Sequence, residues 1–305
     1  GGDLRATAGP QAATLPAITG KGVGVVVIDS GVALLPQFAA RVVLRKDFTG
    51  SRIVTDEFGH GTHIAGIIAA GGRLDDTTGV APGANIISLK VLDAKGNGKA
   101  SAVIQAIDYA IAQKNTFNIK VINLSLGGPV LQSYKDDPLC QAVEGAFRAG
   151  IAVVAAAGNR GKLADGTPVR GWIESPGNSP YAITVGALNT KGTAFRSDDV
   201  MATYSSVGPT RFDHLVKPDL VAPGNKILGL AAPNSTLGNE HPELVTGRGA
   251  NMRLTLSGTS QATAVVSGAV AQLTQALKGL NPTQIRARLM FGAERLEGTG
   301  LAVSG

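Results

Sequence analysis

Four short stretches of this chain carry residue types that transfer acyl groups. "VVVIDSG" places Asp29 just past an apolar run, and "HGTHIAG" places His60 where a helical period begins. "VVAAAGN" ends on Asn159, and "LSGTSQAT" sets Ser260 ahead of a long helical pattern. A serine hydroxyl attacks a carbonyl once a neighbouring base takes its proton. A neutral imidazole suits that task. A histidine at a helix start favours the neutral form, because cations prefer the other end of the helix dipole. A side-chain amide, together with the free N–H groups of a helix N-terminus, holds the negative charge that then develops. The four residues thus supply nucleophile, base, orienting carboxylate and oxyanion donor, the set that acyl transfer needs.

Each residue also has a plainer structural role open to it. Aspartate at a strand end forms turns, asparagine after a strand does the same, and serine before a helix caps it. His60 and His63, three apart, have the spacing of a metal pair, but no third Cys, His or carboxylate stands at a familiar distance.

The elements that must position these residues are legible as periods. Val23–Ser30, Asn85–Leu92, Lys120–Leu126, Ile151–Gly158 and Tyr181–Leu188 are continuous apolar runs, as expected of strands buried on both faces of a parallel sheet. Between them, Val103, Ile107, Ala110 and Ile111 share a helical face, as do Leu139, Val143, Ala146 and Phe147. Val266, Ala269, Val270, Leu273 and Leu277 form a later face, and Asn281-Pro282 reads as a capped helix start. The alternation predicts an α/β fold, an α/β/α sandwich of three layers with a mainly parallel central sheet. In such sheets, sites gather at the carboxyl ends of the strands, where Asp29 and Asn159 fall. Residues 231–256 lack a clear period and are expected to form a surface loop or hairpin. No linker divides the chain, so one domain over 1–305 is expected.

Composition narrows the classes. The 305 residues carry 28 basic and 22 acidic side chains, a net charge of +6 without basic runs, so a nucleic-acid partner is not expected. No stretch of about 18 apolar residues is present to span a membrane. The opening "GGDLRATAGP" lacks the regions of a signal peptide. The single cysteine, Cys140, reads as a small buried hydrophobe rather than a reactive thiol. The glycines of "GKGVGVVVIDSG" precede their strand, which argues against a dinucleotide fingerprint.

With these motifs in hand, the chain resembles the subtilisin-like serine peptidases (subtilases) over roughly residues 20–295. The order Asp, His, Ser is that family's order. "GVAPGA", "INLSLGG", "SPGNSPYAITVGA" and "KPDLVAPG" are similar to further family segments. The resemblance implies Ser260 as nucleophile, His60 as base, Asp29 as its orienting partner, and Asn159 with the Ser260 backbone N–H as oxyanion donors. It implies that Ser125, Leu126 and Gly127 pair with an extended peptide, with Gly158 and Glu174 at the pocket for the residue before the scissile bond. Glu174 stands where the family has glycine. A free carboxylate there favours lysine or arginine, whereas Arg160 beside it would neutralise the charge, or Glu174 would point to solvent. Gln261 and Ala264 replace the family's methionine and proline without removing a catalytic group.

The implied function is a serine endopeptidase of broad specificity, the alternative being a silent peptide-binding module on the same fold. The chemistry requires no cofactor. A structural calcium site is left open, although the turn at Asp75-Asp76 is short for the best-known loop. The resemblance further implies peptide and protein substrates, a prosegment acting in maturation, a monomer and a location outside the cytoplasm. By it, 1–305 is a catalytic domain without prosegment or C-terminal domains, and "LEGTGLAVSG" is a domain edge.

Overall fold

A computed structural model describes residues 18–38, 40–71 and 78–296. The opening decapeptide, the pair Asp75-Asp76 and most of the closing decapeptide lie outside the described residues. Eight strands form the main sheet: β1 (Gly24–Asp29), β2 (Val42–Asp47), β3 (Asn85–Lys90), β4 (Ile119–Leu124), β5 (Ala152–Ala156), β6 (Ala182–Asn189), β7 (Val200–Met201) and β8 (Leu220–Pro223). Their order is β2-β3-β1-β4-β5-β6, with β7 and β8 both paired to β6, and only β7 runs antiparallel. The five apolar runs became β1, β3, β4, β5 and β6.

Among the described residues, six helices accompany the sheet: α1 (His60–Ala69), α2 (Ala100–Ala112), α3 (Pro138–Arg148), α4 (Thr236–Glu240), α5 (Thr259–Ala276) and α6 (Pro282–Gly292). Side chains alternate across a strand, so β1 feeds two cores. Val25 and Val27 pack with α1 and α5 on one face, while Val26 and Ile28 pack with α2 and α3 on the other. Each buried valine or isoleucine of this kind contributes roughly 1.5–3 kcal/mol. The layers are therefore helix, sheet, helix, as the alternation predicts.

Two helices begin as their sequences require. α3 starts on Pro138 with Asp137 capping Leu139 N–H. α6 starts on Pro282 behind a capping box, in which Asn281 and Gln284 exchange side-chain and backbone bonds. Leu277 is the exception on the α5 face, since the helix ends at Ala276 and Leu277 is exposed.

Of the loop or hairpin expected over residues 231–256, the structure has the hairpin. A second sheet of three antiparallel strands, order β10-β11-β9, joins β9 (Ile227–Leu230), β10 (Val245–Thr246) and β11 (Arg253–Leu256). Leu230 and Leu254 are buried, and this sheet packs on α1.

Candidate active site

Asp29 is the last residue of β1, and its side chain is buried. The next turn brings α1 back against it. Gly61 lies so close to the Gly31 carbonyl that a Cβ there would collide with it. That approach sets the first residue of α1, His60, on the carboxylate, with Nδ1 2.9 Å from both Asp29 oxygens. With Nδ1 so engaged, Nε2 is the ring nitrogen left to face a substrate.

Asp56, not singled out from sequence, holds this arrangement. The N-cap of α1 is Gly59, which has no side chain to satisfy the helix's first amides. Asp56 does so from three residues upstream, accepting from Gly59 N (2.7 Å), Thr62 N (2.8 Å) and Thr62 Oγ1 (2.6 Å). Its Oδ1 also accepts from Ser30 Oγ at 2.8 Å, and that hydroxyl accepts from Gly61 N at 2.9 Å. Burial nevertheless holds the Asp56 carboxyl above its ordinary pKa, despite these donors. Burial pushes the His60 ring down, but the charge and hydrogen bond of Asp29, with the charge of Asp56, outweigh it and leave His60 above its ordinary value. His63, one turn on, has no carboxylate partner. Its Nε2 faces the carbonyls of Ile227 (3.1 Å) and Leu254 (3.0 Å), its Nδ1 is buried without a partner, and burial lowers it to about 4.

The serine side is built from β4, β5 and α5. β1 and β4 are neighbours with Val27 opposite Asn123, and continuing that register sets Ser125 level with Asp29. Ser125 is bonded twice to Ser260, the second residue of α5. Ser125 Oγ donates to the Ser260 carbonyl at 2.8 Å, and Ser260 Oγ donates to the Ser125 carbonyl at 3.0 Å. Asn123 steadies the link, donating to Ser125 Oγ (2.9 Å) and accepting from Ser267 Oγ (2.9 Å). Asn123 and Ser125 share a strand face by the period of two, and Ser260 and Ser267 lie two helical turns apart on α5. Polar residues at those spacings in apolar runs are the signal that would have found them.

Ser260 does not cap its helix. The N-cap is Gly258, and Asn159 Oδ1 accepts the first amide, Thr259 N, at 2.9 Å. That donor fixes the carbonyl end of the Asn159 amide, so Nδ2 is the end left to donate. Among the described residues, neither Asn159 Nδ2 nor the Ser260 N–H has an acceptor, and Ser260 Oγ makes no hydrogen bond to His60.

The chain leaves β4 at Ser125. Leu126 is half-buried, and Gly127 is exposed, with a backbone N–H and C=O that find no partner among the described residues. Gly128 is bonded to Ser175 in both directions, at 2.9 and 3.0 Å. Between these backbones lies Glu174. A Cβ on Gly127 would meet Glu174 Oε2 at 2.8 Å, and one on Gly158, whose φ is +104°, would meet Glu174 Cγ at 2.7 Å. Glu174 therefore fills the space the two glycines leave, and it points inward rather than to solvent. Its Oε1 accepts from Arg160 Nε at 2.7 Å.

The subtilase family model matches residues 20–303. The chain belongs to that family. It is 38% identical over 287 residues to the serine protease AprX of Bacillus subtilis (strain 168), covering 91% of this chain and 62% of AprX. It is 34% identical to an intracellular serine protease of Paenibacillus polymyxa, covering 92% of this chain and 79% of that protein. A cold-adapted subtilisin-like serine proteinase superposes with a TM-score of 0.68 at 31% identity, covering 91% of this chain and 84% of that one. The α/β fold is thus the subtilisin-like one, and the chain spans less than two thirds of the length of AprX. Among the described residues, no helix is long and apolar enough to cross a membrane, and no group of three or more His, Cys, Asp or Glu is placed to hold a metal ion. Cys140 is buried, and burial pushes its thiol up to about 12.

Proposed function

We propose that this subtilase hydrolyses internal peptide bonds through an acyl-enzyme on Ser260. The Ser260 hydroxyl turns from the Ser125 carbonyl to His60 Nε2, gives up its proton and attacks the scissile carbonyl. The carbonyl π bond opens onto oxygen, and Asn159 Nδ2 and the Ser260 N–H receive the oxyanion. Collapse of this intermediate expels the amine, which takes the proton from His60. Water then repeats the sequence to release the acid. Asp29 holds the imidazole in one tautomer and stabilises the imidazolium. Ser125, Leu126 and Gly127 bind the substrate backbone as an added strand, which supports broad specificity. No cofactor enters this chemistry.

The observation that carries the reading is the pair of unengaged donors at the α5 N-terminus, on the same sheet edge as a histidine already seated on a buried aspartate. Fluorophosphonate labelling with peptide mapping tests it. Labelling at Ser260 that is lost in Ser260→Ala is the expected result. An unlabelled, folded protein would favour the silent peptide-binding module.

We infer in addition that the Arg160–Glu174 pair sets the pocket. With Glu174 neutralised and filling the space between Gly127 and Gly158, the preference is for small uncharged residues, and basic ones enter only by displacing the half-exposed Arg160. Family likeness further supports an extracytoplasmic location, prosegment-assisted maturation and a monomeric state, and because one relative is an intracellular serine protease, location is the first of these to measure.

A further inference from the structure

A cavity of about 570 Å³ opens beside the Arg160–Glu174 pair. Leu131, Arg170 and Trp172 line it, with Arg211 and His214 from the loop ahead of β8. Its apolar surface is unusually open, with Leu131 79% and Trp172 46% exposed. Its charge is unbalanced. Glu174 is taken by Arg160, and Asp213 on the same loop is held away by Ser133 Oγ (2.5 Å) and Tyr134 N (3.0 Å). Arg170 and Arg211 form no ion pair among the described residues, and the Arg211 guanidinium lies 5.7 Å from the Phe212 ring centroid.

We propose that this cavity binds an acidic, apolar segment of the substrate, outside the residues around the scissile bond. A carboxylate side chain meets Arg170 and Arg211 in charge-assisted hydrogen bonds, and a bulky neighbour covers Trp172 and Leu131. A simple anion would leave the indole uncovered, and a purely apolar ligand would desolvate two guanidinium groups without compensation. The assignment to substrate rests on the peptidase reading. Arg160 and Glu174 line both the cavity and the space between Gly127 and Gly158, so a peptide paired along Gly127 reaches the cavity along a continuous surface.

Trp172 is the chain's only tryptophan, so its emission reports on this cavity alone. The Ser260→Ala chain is titrated with acetyl-Glu-Phe-Glu-Leu-amide and with its glutamine counterpart. The expected result is a saturable shift that weakens with salt and is about tenfold weaker for the glutamine peptide, the scale of one lost charged hydrogen bond. Arg170→Gln with Arg211→Gln is expected to weaken the acidic peptide by a similar factor. Equal affinity for the two peptides, undiminished binding by the double variant, or no saturable shift would each overturn the site. In the active chain, kcat/KM for a substrate carrying the acidic segment is expected to exceed that for its glutamine counterpart. Equality there overturns the assignment to substrate. Fluorophosphonate labelling of the unaltered chain is run alongside. If it fails, the peptidase reading falls while the titration still decides the cavity.

Discussion

Two nitrogen–carboxylate pairs, one on an imidazole and one on a guanidinium, lie in this site at nearly the same separation, and their surroundings differ. His60 Nδ1 is 2.9 Å from Asp29, with the side chains 16% and 0% exposed. Arg160 Nε is 2.7 Å from Glu174, with the side chains 57% and 17% exposed. Distance therefore does not rank them. Around Asp29 the partners are themselves bonded, through Ser30, Gly61 and Asp56, so the imidazole has few other places to go. Around Arg160 water screens the attraction and offers the guanidinium other partners. A buried pair within a satisfied network fixes geometry, whereas an exposed one yields to whatever enters beside it.

The comparison breaks most visibly at its buried end. Asp29→Asn is expected to lower kcat by about 10⁴-fold, because the amide can present a donor to Nδ1 and reverse the tautomer. The pH profile supplies a second readout. His60 must be neutral to accept a proton, and it is held above its ordinary 6.5, so kcat/KM rises with pH through a midpoint above that value. Removing the Asp29 charge leaves burial as the dominant influence, so the midpoint moves to lower pH. A midpoint that stays in place would show that Asp29 does not set the state of His60. Asn159→Leu comes next. The loss known for an oxyanion asparagine in this family is about 100- to 1000-fold in kcat, and a change confined to KM would argue against the donor role.

His63 sharpens the contrast by showing burial without a carboxylate. Its pKa falls to about 4, against 6.5 for an ordinary histidine. Between those values the unfolded chain binds a proton that the folded chain refuses, so stability falls as pH falls through that window, by about 3 kcal/mol at most. His60 acts in the opposite sense. Its contribution is complete below about 6.5 and fades as pH rises through its raised native value. Urea midpoints of the Ser260→Ala chain between pH 4 and 8 are expected to drop on the acid side, and less so in His63→Gln. An unchanged acid slope in His63→Gln would place the effect elsewhere.

What the sequence made legible follows the same division between local and tertiary causes. β1 up to Asp29 and all of β5 are buried on both faces, so they read as unbroken apolar runs, and the capping box at Asn281 is written in four consecutive residues. β2 was missed because its "VVLRKD" is only partly buried and carries three charges, and β8 and β9 because four residues are too few to show a period. The site divides likewise. Asp29, His60, Asn159 and Ser260 stood out in the sequence because few residue types do the chemistry proposed for them. Asp56, Asn123 and Ser267 act through partners that only the register and helix packing bring near. The direction of Glu174 belonged to the same class, since charge complementarity allowed three answers and the facing glycines chose one.

The smallest expected effect lies at the exposed pair. Arg160→Gln removes the counter-charge from Glu174 and leaves the carboxylate against Gly127 and Gly158, in the pocket proposed for the side chain before the scissile bond. A lysine or arginine side chain there then gains a partner without displacing one, so cleavage after basic residues is expected to rise about tenfold relative to small neutral ones, a difference of about 1.4 kcal/mol. Stability should barely move, because a mostly exposed arginine contributes little to it. Adding Glu174→Gly removes the carboxylate and should abolish the gain while deepening the pocket. A gain that survives in the double variant would mean that Arg160 excludes basic residues by its own charge, and Glu174 would then serve only to hold it in place.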